Sequence, residues 1–412
     1  MKNEKKRWII IGALIINNLC LGSIYIWSIF NRPLMEKMNW PISKISLAYS
    51  LMMLITLCFN LLSGPLQKKI GHRKVMLFSV IFWSLGWFLT GFASNIVQLY
   101  FFFSFMVGIG AGFGYNTIVS IIPLWFPDKL GIANGMAIGA SGLAPLIFAP
   151  IAHYILESVG VQRAFNILGI IFLILMGTTS WLITAPSKGW KPEGWVMTSI
   201  SAKESSLENK TTKEMLKEPV FYMFWFVLLA AVTSGMMMTG HAAGIGESIG
   251  MTTSQSTMLV GLLAVMNFVG RIGFGYLSDK IGRYRVITII LFVTSVSMLM
   301  LGYTNTISQF LVLFSLIGLS FGAIMAVYPA LCAECFGTEH MASNWAVLYS
   351  GYTAASFVGP VSAASCLEAT GNYGIAFLLA GGLGILALVT FKFAQRMIFN
   401  EKILLEENEK NL

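Results

Sequence analysis

Twelve apolar runs, separated by short polar turns, make up most of the chain. They cover residues 8–30, 45–66, 74–92, 96–122, 131–155, 162–183, 221–242, 255–277, 286–303, 307–331, 343–366 and 373–394. A helix needs about 20 predominantly apolar residues to cross a bilayer, so each run predicts one membrane span. The first run follows Lys2, Lys5, Lys6 and Arg7, is too long for a signal-peptide core and has no small-residue cleavage site. It predicts a first span entered from the cytoplasm. One polar connection is long: residues 186–219, rich in Lys, Ser, Thr and Glu. It predicts a cytoplasmic linker between an N-terminal six-helix half, residues 1–185, and a C-terminal half, residues 220–412.

Composition agrees. The 412 residues are 56% hydrophobic and 11% charged, whereas a soluble domain carries about 25% charged residues. An all-α membrane protein follows, with 40 glycines suited to close helix approach. The net charge of +9 does not call for nucleic acid, because the charges sort by side. Of 27 Lys and Arg, the outer loops hold Arg32, Lys37, Lys44 and Arg163. Arg271 lies inside a run, and all the others fall on inner segments. That is the positive-inside bias, with both termini cytoplasmic. The basic inner segments also suit anionic lipid. The five cysteines lie in or beside apolar runs and outline no disulfide framework.

Arg271 is the residue this layout does not absorb. A cation well inside a bilayer costs at least about 2.5–3.5 kcal/mol on insertion scales. All 18 carboxylates lie in loops, tails or span ends, with Glu247, Asp279, Glu334 and Glu368 nearest to the bilayer. The sequence therefore offers no mid-span acid for an ion pair. An anionic ligand is one partner that fits; backbone carbonyls between helices are the other. Asn267 lies four residues earlier, on the same helix face.

Two features recur at a spacing of about 210 residues. Gly64-Pro-Leu-Gln-Lys-Lys-Ile-Gly71-His-Arg-Lys74 mirrors Gly275-Tyr-Leu-Ser-Asp279-Lys280-Ile-Gly282-Arg283-Tyr-Arg285. Gly110-Ala-Gly-Phe-Gly114 mirrors Gly318-Leu-Ser-Phe-Gly322. Parallel six-helix repeats are a transporter architecture. The second-half motif resembles the helix 2–3 and helix 8–9 signature of the major facilitator superfamily. The first-half copy departs from it, with Lys68 where Asp is usual, so an Asp-based gating pair is not expected there.

More narrowly, the chain resembles the oxalate/formate antiporter family. The matching pieces are Gly22-Ser-Ile-Tyr25-Ile-Trp27-Ser28, Trp125-Phe-Pro before Gly131-x-Ala133-x-Gly135, Gly189-Trp-x-Pro-x-Gly-Trp195, Arg271, and Asn344-Trp-x-x-Leu-Tyr349.

The resemblance implies a twelve-helix secondary transporter that works by rocking two halves around a midplane site. In that site Arg271 would meet a small carboxylate. Guanidinium presents a planar donor fork that suits a carboxylate. Asn267, Tyr25, Tyr115, Phe321, Tyr349 and Tyr352 are the candidate cavity residues, with helix packing the other reading of each. Tyr328, before Pro329, marks a possible kink. The oxalate-transporting member of the resembled family carries a lysine in helix 11, where this chain has Tyr352. One cation then balances one negative charge, which points to formate, lactate or pyruvate rather than oxalate.

His241, read as closing helix 7 on the outer side, is a candidate for proton coupling or an interfacial polar residue. Gly64, Gly71, Gly275, Asp279, Lys280, Gly282, Arg283 and Glu334 form the candidate gating and turn motifs. Cys332-x-x-Cys335 has redox spacing but sits at a helix end, which favours packing. The Gly runs follow no strand, so they are not nucleotide loops. The chain lacks paired mid-span acids, a metal cluster or an activated nucleophile, so no enzyme, cofactor or metal is expected. The expected setting is an inner membrane, the expected partners a carboxylate, lipid and protons, and the expected state a monomer. Obligate carboxylate exchange and a non-transporting sensor are the competing functions.

Overall fold

Within lipid a spanning backbone must satisfy its hydrogen bonds within the protein, as a helix does inside one segment, and each apolar run is helical. The computed structural model describes residues 2–40, 42–187, 189–192, 209–304 and 306–410. The long helices of the first half are α1 (Lys2–Leu21), α2 (Ile42–Ile70), α3 (His72–Thr90), α4 (Gly108–Trp125), α5 (Leu130–Val159) and α6 (Val161–Ser180). Those of the second half are α7 (Pro219–Ser248), α8 (Thr253–Ile281), α9 (Arg283–Leu301), α10 (Ile307–Phe336), α11 (Met341–Thr370) and α12 (Gly374–Lys410). No strand occurs among the described residues. Eleven helices there are long and apolar enough to cross a membrane. The other long helix, α11, dilutes its apolar residues with Ser, Thr, Gly and Tyr.

Several helices outrun their apolar runs. α7, for instance, continues to Ser248, so His241 lies within it rather than closing it. The first run differs most. Its α-helix gives way to a 3-10 segment at Gly22–Ile26, and helix resumes over Ser28–Met38, so Lys37 is helical rather than in a loop. The cause is a close crossing: a Cβ on Gly22 would lie 2.5 Å from the Ser141 carbonyl oxygen of α5. Asn18 adds donated bonds to the Ala137 and Ile138 carbonyls of α5, at 2.8 and 3.1 Å. Ahead of α4, Tyr100–Val107 is π-helical. There Ser104 donates to the Ala48 carbonyl at 2.7 Å.

Two compact units result: residues 1–202 with 337–347, and residues 203–336 with 348–412. The first turns of α11 thus group with the first unit, whereas the charge and hydropathy pattern divides the chain only at the linker. Of that linker, residues 193–208 lie outside the described residues, including Gly194 and Trp195 of the family signature. Its two described ends are anchored. Trp190 packs 5.0 Å from Trp125, bringing two signature pieces together. The Lys210 amide donates to the Phe336 carbonyl at 3.1 Å.

The two units have different cores. In the first, Trp87 packs against Phe103, Phe165 and Phe172, and Trp27 stacks on Phe103 at 3.7 Å. Each such pair adds about 0.5–1.5 kcal/mol beyond its buried area. In the second, Met237, Met298, Ile317 and Phe377 belong to one buried cluster.

The internal repeat is visible in the backbone. Gly71 (φ 85°) separates α2 from α3, and Gly282 (φ 91°) separates α8 from α9. Both hold a left-handed conformation that side chains with a Cβ rarely adopt. The glycine runs are packing surfaces inside α4 and α10. Gly110 meets the Trp83 backbone of α3, Gly112 the α2 backbone at Thr56 and Asn60, and Gly322 the Asn267 carbonyl of α8.

Candidate functional site

Arg271 sits inside the span Met258–Ile281 of α8 and is only 5% exposed. The start of α8 is fixed by a capping box, in which Thr252 and Gln255 bond reciprocally. A seam against α10 fixes its middle. A Cβ on Gly270 would lie 1.9 Å from the Leu319 carbonyl oxygen, and one on Gly322 would lie 1.8 Å from that of Asn267. Both contacts lie in the turn of α8 just before Arg271 and pack its backbone tightly on α10 there. Asn267 is buried one turn earlier, and its side-chain oxygen takes no hydrogen bond among the described residues.

The other candidates of this unit lie on α10 and α11. Phe321 is buried against Gly235 of α7. Tyr349 and Tyr352 stack face to face on α11, with centroids 4.7 Å apart and planes at 14°. Trp225 of α7 braces the tyrosine pair: its indole N–H donates to Ser350 Oγ at 2.8 Å, and its carbonyl meets Gly351. Tyr328 donates to the Phe224 carbonyl at 2.7 Å and is buried beside Pro329, so it ties α10 to α7.

In the first unit Tyr25 is the exposed residue of the 3-10 segment, while Ser23, Ile24 and Ile26 around it are buried. Tyr115 is half-buried on α4. The motif residues of the second unit form a clasp at three helix ends. Arg283 Nη2 lies 2.7 Å from Asp279 Oδ1, and Arg283 Nε lies 3.1 Å from Glu334 Oε1. Lys280 lies over the Tyr276 ring at 4.5 Å.

His241 is held between α11 and the bend before α12: Nε2 donates to the Pro360 carbonyl at 3.0 Å, and the Tyr373 hydroxyl lies 3.4 Å from Nδ1. The neutral tautomer with its proton on Nε2 fits both contacts. Cys332 and Cys335 are buried, free thiols, with the Tyr284 hydroxyl 3.1 Å from Cys335 Sγ. Among the described residues no group of three or more His, Cys, Asp or Glu could hold a metal.

One feature escaped the sequence reading. A buried amide and hydroxyl network joins α2 to α4 in the first unit. Asn116 donates to Asn60 Oδ1 at 2.7 Å, Gln67 donates to Asn116 Oδ1 at 3.0 Å, and Ser120 donates to Gln67 Oε1 at 2.7 Å. Asn60 stands four residues before Gly64, as Arg271 stands four before Gly275. The repeat therefore puts a neutral, internally bonded amide where the second unit has its buried cation. Applying the repeat offset to Arg271 would have found it.

Comparisons with known proteins follow the same lines. The family model described as Major Facilitator Superfamily matches residues 12–272 and 240–407. An uncharacterised MFS-type transporter of Escherichia coli, YhjX, is 31% identical over 352 residues, covering 85% of each chain. The oxalate:formate antiporter of Oxalobacter formigenes is 24% identical, over 86% of this chain and 83% of its own. Mouse monocarboxylate transporter 12 is 25% identical, over 82% of this chain and 75% of its own. Among solved structures, the E. coli fucose:proton symporter FucP superposes with a TM-score of 0.71 at 12% identity, covering 93% of this chain and 98% of that one. Matched across nearly its whole length, this chain belongs to the Major Facilitator Superfamily.

Proposed function

We propose that the protein carries small monocarboxylate anions of the formate, lactate or pyruvate type across a cell inner membrane by alternating access, together with a proton. The observation that carries this reading is Arg271, a buried guanidinium inside a span, held by the α8–α10 seam. Arginine suits a carboxylate because its fork can donate two parallel bonds. The names of two relatives, an oxalate:formate antiporter and a monocarboxylate transporter, support a carboxylate cargo. Asn60 and Tyr352, neutral where the repeat or the resembled family has a cation, support a single negative charge. His241 is the in-span titratable group we assign to the proton.

Counterflow in proteoliposomes tests the transport step. Labelled formate or lactate should accumulate against the unlabelled anion, and an outside-acid gradient should drive uptake. Absence of counterflow with every small carboxylate would favour the sensor reading. Counterflow without pH-driven uptake would favour obligate exchange, the reading the antiporter relative supports. The orientation is part of the proposal. In a cysteine-free background Lys37→Cys should react with an impermeant reagent added outside, and Lys69→Cys should not; the reverse pattern would invert the topology.

A further inference from the structure

The start of α11 meets α2 and α4 through three unlike contacts. Asn116 donates to the Ala342 carbonyl at 2.9 Å. A Cβ on Gly64 would lie 2.2 Å from Ser343 Oγ, so the α2 backbone touches α11 directly. At the rim, Lys68 Nζ contacts His340 Nδ1, with Nε2 3.3 Å away. The contacts enclose a cavity of about 130 Å³ whose charged and titratable wall groups are Lys68, His72, Glu339 and His340.

The third contact is chemically conditional. Lys68 stands where the second repeat carries Asp279, so a cation faces the beginning of α11, the positive end of its dipole. An ammonium has only donors to offer, and a neutral imidazole has one acceptor nitrogen. The contact therefore exists only while His340 is neutral. Once protonated, both ring nitrogens are donors, and two cations are left within hydrogen-bond distance. Glu339, the acidic wall group, is exposed, so water screens its attraction. His72, the other titratable wall group, begins α3, and Lys69 and Arg73 on the exposed turn beside it add to the positive field.

We propose that Lys68 and His340 form a pH-sensitive latch, which holds the first turn of α11 on α2 when His340 is neutral and releases it on acidification. Histidine is the side chain that ordinarily changes charge between about pH 5 and 8, so the test spans that range. The latch is independent of what the protein carries.

Electron paramagnetic resonance on the full chain tests it. Nitroxides at Lys69→Cys and Thr338→Cys, both exposed positions, would be introduced with the native cysteines replaced. A single short distance is expected at about pH 8, and a second, longer population at about pH 5.5. His340→Gln keeps an acceptor for Lys68 but cannot titrate, so it should hold the short distance at both values. Lys68→Met removes the repulsion and should also abolish the pH response. His72→Gln should respond as the parent does. An unchanged parent distance, a pH response that survives His340→Gln, or one lost in His72→Gln would each overturn the latch.

Discussion

Arg271→Gln should abolish substrate binding and leave a folded protein. The guanidinium is buried inside the α8 span. A hydrogen bond to a charged group contributes about 1.5–3 kcal/mol, and losing it weakens binding by roughly ten- to a hundredfold. Removing the charge altogether takes away both the fork and the electrostatic attraction, so the loss falls at the upper end or beyond. The fold should persist because glutamine keeps an amide donor and places no charge in the low-dielectric interior. The Gly270 and Gly322 contacts that fix α8 are untouched by it. Arg271→Lys retains a charge as a point ammonium without the planar fork, so it should bind partially, between the parent and Arg271→Gln. Ligand binding and the melting temperature in detergent, measured on all three proteins, decide the matter. An Arg271→Gln protein that unfolds would mark Arg271 as a strut between helices, and one that folds and binds normally would remove it from the site.

The apolar runs were legible because a spanning helix admits few polar residues, and each of the twelve runs is helical. Arg271 was legible for the same reason, as the one Lys or Arg that lies more than two residues inside a run. The turn glycines Gly71 and Gly282 could be paired by spacing, and their left-handed φ values agree. What pattern alone could not give is how polar side chains inside the spans find each other. Asn60, Gln67 and Asn116 look like scattered amides along the chain, since their partnership depends on the α2–α4 register. The 3-10 segment at Gly22–Ile26 depends likewise on α5 passing close by. His241 lies at the end of the apolar span Pro219–Ala242, and only the helix itself continues past it, to Ser248. Glu334 and Asp279 were read as gating acids. Within the second unit both lie on Arg283, an arrangement that ties α8, α9 and α10 at one end.

The second large effect concerns charge count. Tyr352 lies half-buried on α11, stacked on Tyr349 and braced through Trp225. Tyr352→Lys would add a cation to a helix that has no Lys or Arg of its own. Preference should then move from monocarboxylates towards dianions such as oxalate, because a second fixed positive charge offsets the desolvation of a second carboxylate. The parent should discriminate the other way, since a dianion beside one guanidinium leaves a carboxylate desolvated without a counter-charge. The stack would be lost in the variant, so its melting temperature should fall in the absence of ligand. A ligand that binds the folded state should restore part of that loss. A Tyr352→Lys protein that still ranks monocarboxylates above oxalate, with unchanged affinities, would take α11 out of the site.

Titration calorimetry of the purified parent protein with formate, lactate, pyruvate and oxalate reads the central claim most directly. A saturable heat for at least one monocarboxylate, tighter than oxalate and lost in Arg271→Gln, is the expected result; tight oxalate binding with all three monocarboxylates inert would contradict it.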